Sequence, residues 1–228
     1  DPLVTGDTLS GALSRDAGED VDTYAITQGT LDNPNYDITF VDDDFAITPK
    51  PITVTANASQ SKVYGASDPA LTYTSDPLVG TDTLTGTLSR ASGENVGTYA
   101  IGQGTLDNTN NTNYDITFVG NDFAVTPKPL TVTVDSGQTK VYGASDPGAF
   151  TYTHGALGNG DTDAVFSGAL SRAAGENVGT HAITQGTLAL GSNYNLTYVG
   201  DDLTITPMSI TVTADASQSK VYGDLDPA

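Results

Sequence analysis

The stretch from Ile47 to Pro69, Ile-Thr-Pro-Lys-Pro-Ile-Thr-Val-Thr-Ala-Asn-Ala-Ser-Gln-Ser-Lys-Val-Tyr-Gly-Ala-Ser-Asp-Pro, returns at Val125 to Pro147 and at Ile205 to Pro227 with few substitutions. A chain that repeats itself in this way folds as an array of like units. The Lys-Val-Tyr-Gly element fixes the period: Lys62 to Lys140 is 78 residues and Lys140 to Lys220 is 80. Units of that length are whole small domains, longer than the roughly 20–50 residues of a solenoid repeat.

The period divides the chain into residues 1–49, the later part of a module; two complete modules, 50–128 and 129–207; and 208–228, the first part of a further one. Cuts inside modules lead us to expect a piece of a longer protein. Thr48-Pro49-Lys50-Pro51 reads as a stiff connector between modules, because two prolines remove two backbone donors and fix φ. Pro127 and Pro129 repeat it, whereas Pro207 is followed by Met208-Ser209, so that joint is expected to be softer.

Within residues 50–128 the expected strands are Ile52 to Ala56, Leu71 to Thr74, Leu84 to Leu88, Thr98 to Ile101, Tyr114 to Phe118 and Phe123 to Val125. Most alternate apolar with threonine or aspartate, the period of a half-buried strand. Val119-Gly120-Asn121-Asp122 reads as a hairpin loop. Composition agrees: of 28 acidic residues only Glu19, Glu94 and Glu176 are glutamate, and an acidic chain built on aspartate favours turns over helices. The expected fold is mainly β, in tandem immunoglobulin-like β-sandwich modules of about 78–80 residues. The alternative is a β-grasp-like α+β module, whose helix would have to form around Asp161 to Phe166 with Asp161 as its cap.

The net charge of −20, with eight basic residues, disfavours nucleic acid and anionic lipid as partners. No apolar run is long enough to span a membrane. The absence of cysteine excludes disulfides, thiolate metal sites and cysteine nucleophiles. His154 and His181 occur only in the third copy and lie near no nucleophile motif, which leaves catalysis without its parts.

Other candidates are structural or weakly metal-binding. Arg15 and Glu19, Arg90 and Glu94, and Arg172 and Glu176 recur four apart and are expected to pin a loop as ion pairs. Asp42, Asp43, Asp44, Asp201 and Asp202 could offer oxygens to calcium, against the plainer reading as turn residues. Lys62, Lys140 and Lys220 could cross-link to an asparagine such as Asn121, and Tyr64, Tyr73, Tyr99 and Tyr114 could stack on sugars, although tyrosines at strand spacing belong more often to a core.

Lys-Val-Tyr-Gly-Ala-Ser-Asp-Pro at 62–69 and 140–147, Ser-Arg-Ala-Ala-Gly-Glu-Asn-Val-Gly-Thr at 171–180 and Asn-Tyr-Asp-Ile-Thr-Phe at 113–118 resemble the MBG domain repeat. The resemblance covers the whole chain and departs from the pattern at Met208-Ser209, His181 and Asp224-Leu225. It implies a non-catalytic, extracellular repeat without a cofactor, of the kind carried by large bacterial adhesins similar to filamentous haemagglutinins. The expected role is a stalk or spacer at the bacterial surface whose partners are neighbouring repeats. The alternatives are a multivalent weak binder of glycan or another host-surface ligand, and a filament subunit that assembles head to tail by strand complementation.

Overall fold

The computed structural model describes residues 2–226 and is almost entirely β. The chain forms two compact units that part between Thr126 and Pro127.

In the first unit, the described residues before Lys50 form the strands β1 (Ser14–Arg15), β2 (Thr23–Thr27) and β3 (Asp43–Ala46), paired antiparallel in the order β1-β2-β3, and an isolated bridge between Ser10 and Asp32. The complete module that follows has β4 (Lys50–Ala56), β5 (Gln60–Val63), β6 (Tyr73–Ser75), β7 (Ser89–Arg90), β8 (Gly97–Gly102), β9 (Tyr114–Val119) and β10 (Asn121–Thr126). They make two sheets, β6-β4-β9 and β5-β10-β8-β7. Ile52, Val54 and Ala56 of β4 are buried, as are Ile101, Phe123 and Val125 of the second sheet. Each fully buried aliphatic or aromatic side chain contributes about 1.5–3 kcal/mol. The module is a small β-sandwich-like unit, as the alternation predicts.

The second unit repeats the plan with β11 (Lys128–Val134), β12 (Thr139–Val141), β13 (Tyr152–His154), β14 (Phe166–Ser167), β15 (Ser171–Arg172), β16 (Gly179–Thr184), β17 (Ala189–Leu190), β18 (Tyr194–Val199) and β19 (Asp202–Thr206). Its sheets are β13-β11-β18, β12-β19-β16-β15 and the small pair β14-β17. Its core joins Val132 and Val134 to Ile183, Leu188, Leu203 and Ile205.

Several elements differ from the expected ones. The stretches Tyr114–Val119 and Asn121–Thr126 do not form a hairpin: β9 pairs with β4 and β10 with β5 and β8, so the chain changes sheets at Gly120. A side chain there would put its Cβ 2.9 Å from the Ile101 carbonyl, which is why the crossover takes glycine. Lys50 and Pro51 open β4 and are not a separate connector. Proline is tolerated because β6 reaches only Val54 to Ala56, leaving β4 with a single neighbour at Pro51.

The stretch Leu84 to Leu88 is held without a ladder. The buried Asn111 accepts from the Thr85 N–H at 2.7 Å and donates to the Thr85 carbonyl at 2.9 Å. An amide side chain does there what a neighbouring strand would have done. The helix that a β-grasp needs is replaced by a single 3-10 turn, Asp163–Val165, without a side-chain cap; Asp161 instead accepts from the Tyr194 hydroxyl at 2.7 Å.

Residues 208–226 carry no strand, and all are exposed. They repeat the sequence of β4, β5 and the turn that follows, with changes that include Met208-Ser209 and Asp224-Leu225.

Candidate functional site

The constellation that recurs in both complete modules is a closed ring of four charges. The Lys62 side chain, which β5 turns inward, is 4% exposed, while its neighbour Val63 faces solvent at 41%. The reversal of the usual order follows from what the ammonium meets. A turn closed by the Ala66 N–H on the Val63 carbonyl, with Gly65 at φ 80, folds Asp68 back to 2.6 Å from the Lys62 Nζ. Glu94 is its second partner.

Arg90, projecting from β7, closes the ring. Its Nε and Nη2 hold Asp68 at 2.7 and 3.0 Å, Nη2 also meets Glu94 at 2.8 Å, and Nη1 donates to the carbonyls of Ala91 and Gly93 at 2.9 and 2.7 Å. All five guanidinium donors are thereby used. The group stacks 5.1 Å from the Tyr99 ring and 5.2 Å from the Phe123 ring. In the third copy Lys140, Asp146, Arg172 and Glu176 repeat the arrangement, with Lys140 at 2.7 Å from Asp146 and 2.5 Å from Glu176.

Hydrogen bonds from Arg90 and then Lys62 hold the Asp68 carboxyl down at about 2, and Arg172 and Lys140 hold Asp146 there as well. Bonds to Asp68 and Asp146 raise Lys62 and Lys140 above the ordinary lysine value, while bonds to the lysines lower Glu94 and Glu176. A lysine kept protonated is no nucleophile, and a carboxyl kept ionised is no acid. The ring holds all four of its groups in their charged forms.

The Arg–Glu spacing marks half of this ring. Lys62, Asp68, Lys140 and Asp146 complete it, and the signal was the constant Lys-Val-Tyr-Gly-x-x-Asp with its lone lysine. In residues 2–49 the half stands alone: Arg15 meets Glu19 at 2.7 Å and lies 5.1 Å from the rings of Tyr24 and Phe45.

A second recurring contact clamps the tyrosine of Asn-Tyr. Tyr114 donates to Asp82 at 2.6 Å and accepts from the Val79 N–H at 2.9 Å; Tyr36 does the same with Asp7 and Val4, both at 2.8 Å. Next to it lies the seam between residues 2–49 and the following module. Asn113 accepts from the Val21 N–H at 2.9 Å and donates to Asp20 at 2.8 Å, while its own carbonyl takes the Lys50 N–H.

The remaining candidates resolve locally. Lys62 ends on carboxylates, and the Asn121 amide donates to the Ala56 carbonyl at 3.4 Å, so asparagine is not the lysine's partner. Tyr64 and Tyr114 are buried and Tyr99 lies under Arg90, which leaves no tyrosine face for sugars at these three positions. His181 replaces a tyrosine and keeps its bond: Nε2 reaches the Asn177 carbonyl at 2.9 Å, as the Tyr99 hydroxyl reaches Asn95 at 2.7 Å. His154 sits between Gly155 and Asp163.

Asp43 and Asp201 each accept the N–H of the next residue at 2.8 Å, and Asn121 makes the same bond at 2.9 Å. Because neutral asparagine serves equally, the carboxylate charge is not needed for the turn. Among the described residues no three acidic or histidine groups converge as a metal-ligating set. Chelation with EDTA, or addition of calcium, is expected to leave the melting temperature unchanged; a rise with calcium would show that Asp42, Asp43, Asp44, Asp201 or Asp202 act as ligands.

The family model for the MBG domain (YGX type) matches residues 1–46, 52–124 and 130–204. The chain belongs to the MBG domain family. In this chain Tyr64-Gly65 and Tyr142-Gly143 form the turns that return Asp68 and Asp146 to the lysines. No curated protein matches the chain. Among the described residues, no helix is long and apolar enough to cross a membrane.

Proposed function

We propose that the chain is a non-catalytic spacer, a stretch of extracellular stalk that carries another part of a bacterial surface adhesin away from the cell. The observation that carries this reading is the ring: each complete module locks its own β5 or β12 to its own loop through a lysine, an arginine and two carboxylates that all stay within the module. A module closed in this way can be added or removed without redesign of its neighbours. The surplus of acid keeps such a segment dispersed in water and off anionic surfaces.

The test is dimensional. Inserting one additional copy of residues 50–127 is expected to lengthen the particle seen by small-angle scattering by roughly 30 Å, the diameter of a module of this size. An unchanged maximum dimension, or saturable binding to a glycan array that grows with copy number, would sink the spacer reading. The second of these would favour a multivalent binder.

A further inference from the structure

A side chain crosses the joint inside the first unit. Asn113 stands immediately before β9, where the Tyr114 N–H is bonded to the Asn111 carbonyl at 2.9 Å and the Tyr114 hydroxyl is clamped by Asp82 and Val79, so its backbone is fixed to the complete module. Its amide faces the loop that follows Glu19. The amide oxygen accepts from the Val21 N–H at 2.9 Å, and the amide nitrogen donates to the Asp20 carboxylate at 2.8 Å. Asp20 is tied to residues 2–49 in turn, its carbonyl accepting from the Tyr24 hydroxyl at 2.9 Å.

The connector between the two sides has little slack. The Ile47 N–H is bonded to the Asp22 carbonyl at 2.9 Å and the Lys50 N–H to the Asn113 carbonyl at 3.0 Å, which leaves Thr48 and Pro49 between two anchored points. Pro49 fixes one of the dihedrals that remain. A planar amide presents a donor and an acceptor side by side, whereas a carboxylate at position 113 could only accept.

We propose that Asn113 is the latch of a docking surface between modules, and that the surface it fits is the loop of another module that offers a backbone N–H beside a side-chain oxygen. The sequence carries both faces in every copy: Asn35, Asn113 and Asn193 each precede a tyrosine, and Asp20-Val21, Asn95-Val96 and Asn177-Val178 each follow the glutamate. Aspartate and asparagine serve alike in the loop because each offers an oxygen to the amide nitrogen. In the first unit the latch and the short connector together hold residues 2–49 and 50–126 as one body. This docking does not rest on the spacer reading, since it would order the modules of a multivalent binder equally.

The chain has no cysteine, so Asp42→Cys and Ser92→Cys, both at exposed positions, place one spin label on each side of the joint. Double electron–electron resonance on the 228-residue chain is expected to give a single narrow distance distribution. Asn113→Ala is expected to broaden it and to speed exchange of the Val21 amide by about tenfold, the order that loss of one amide hydrogen bond allows. Exchange at Phe123 and Val125 checks that the complete module stays folded. Asn113→Asp sets two carboxylates face to face and is expected to broaden the distribution as well. Adding Asp20→Asn to it exchanges donor for acceptor and is expected to restore the narrow distribution, which a defect confined to the complete module would not allow. A broad distribution in the parent chain overturns the proposal, as does a narrow one in Asn113→Ala or a failure of Asp20→Asn to rescue Asn113→Asp.

Discussion

Phe123→Ala is expected to cost the second module about 3–5 kcal/mol, the range for removing a large aromatic from a closed core. Phe123 is wholly buried and also supports the Arg90 guanidinium, so the substitution opens a cavity and removes one wall of the ring. A module of about 78 residues has roughly 4–12 kcal/mol in all. The loss is therefore a large share of what keeps it folded. Phe45→Ala, the same change at the matching position, is expected to cost at most about 1 kcal/mol in dilute solution, because Phe45 is nearly half exposed and makes no closed core. Amide exchange reads both effects, since it reports each module by its own residues. Equal losses at the two positions would mean that burial in the complete module is not what makes Phe123 costly.

Asp68→Ala is expected to destabilise the same module by about 2 kcal/mol. The cost comes from leaving Lys62 and Arg90, 4% and 7% exposed, with one shared carboxylate, and it is discounted from the usual 3–5 kcal/mol because Asp68 itself is 42% exposed. Lys62→Met should cost less. It removes a cation and leaves Glu94, which is 48% exposed and can turn to water.

The dependence on pH follows from the same groups. Asp68 and Asp146 are depressed to about 2 in the folded state, so they contribute stability that is complete above the unfolded carboxyl value of about 3.9 and is lost as pH falls from there toward 2. Lys62 and Lys140 are raised, so their contribution is complete below about 10.4 and is lost as pH climbs through the folded value. Urea midpoints are expected to be flat between about pH 5 and 10 and to drop on either side. Asp68→Asn should flatten the acid limb of its module; an acid limb unchanged by that substitution would assign the loss to other carboxylates.

The repeat, the β class and most strands of the complete module were legible in the sequence, because threonine-rich alternation reports a strand wherever one face is buried. β5 was missed for the same reason, read in reverse. Its inward residue is Lys62 and its outward one is Val63, and the pattern becomes intelligible only once two carboxylates are known to sit opposite the lysine. The change of sheets at Gly120 was equally hidden. A two-residue polar turn and a one-residue crossover share the same composition, and what separates them is the distant partner: β4 for β9, β5 for β10. Asn111 lies in a polar stretch with no alternation to announce a role, yet its amide replaces a strand for Leu84 to Leu88. Arg90 and Glu94 could be paired from their spacing alone. Asp68 could not, because it lies 22 positions from Arg90 and nothing local says where the chain returns.

The parallel pairing of β5 with β10 has a consequence for a chain under tension. These strands lie near the two ends of the module and run in the same direction, so drawing Lys50 and Thr126 apart slides one along the other. Bonds aligned across the pull share the load and must rupture together, whereas a hairpin with adjacent ends would unzip one rung at a time. Lys62 and its carboxylates sit on that sliding pair and add a charged clasp to it.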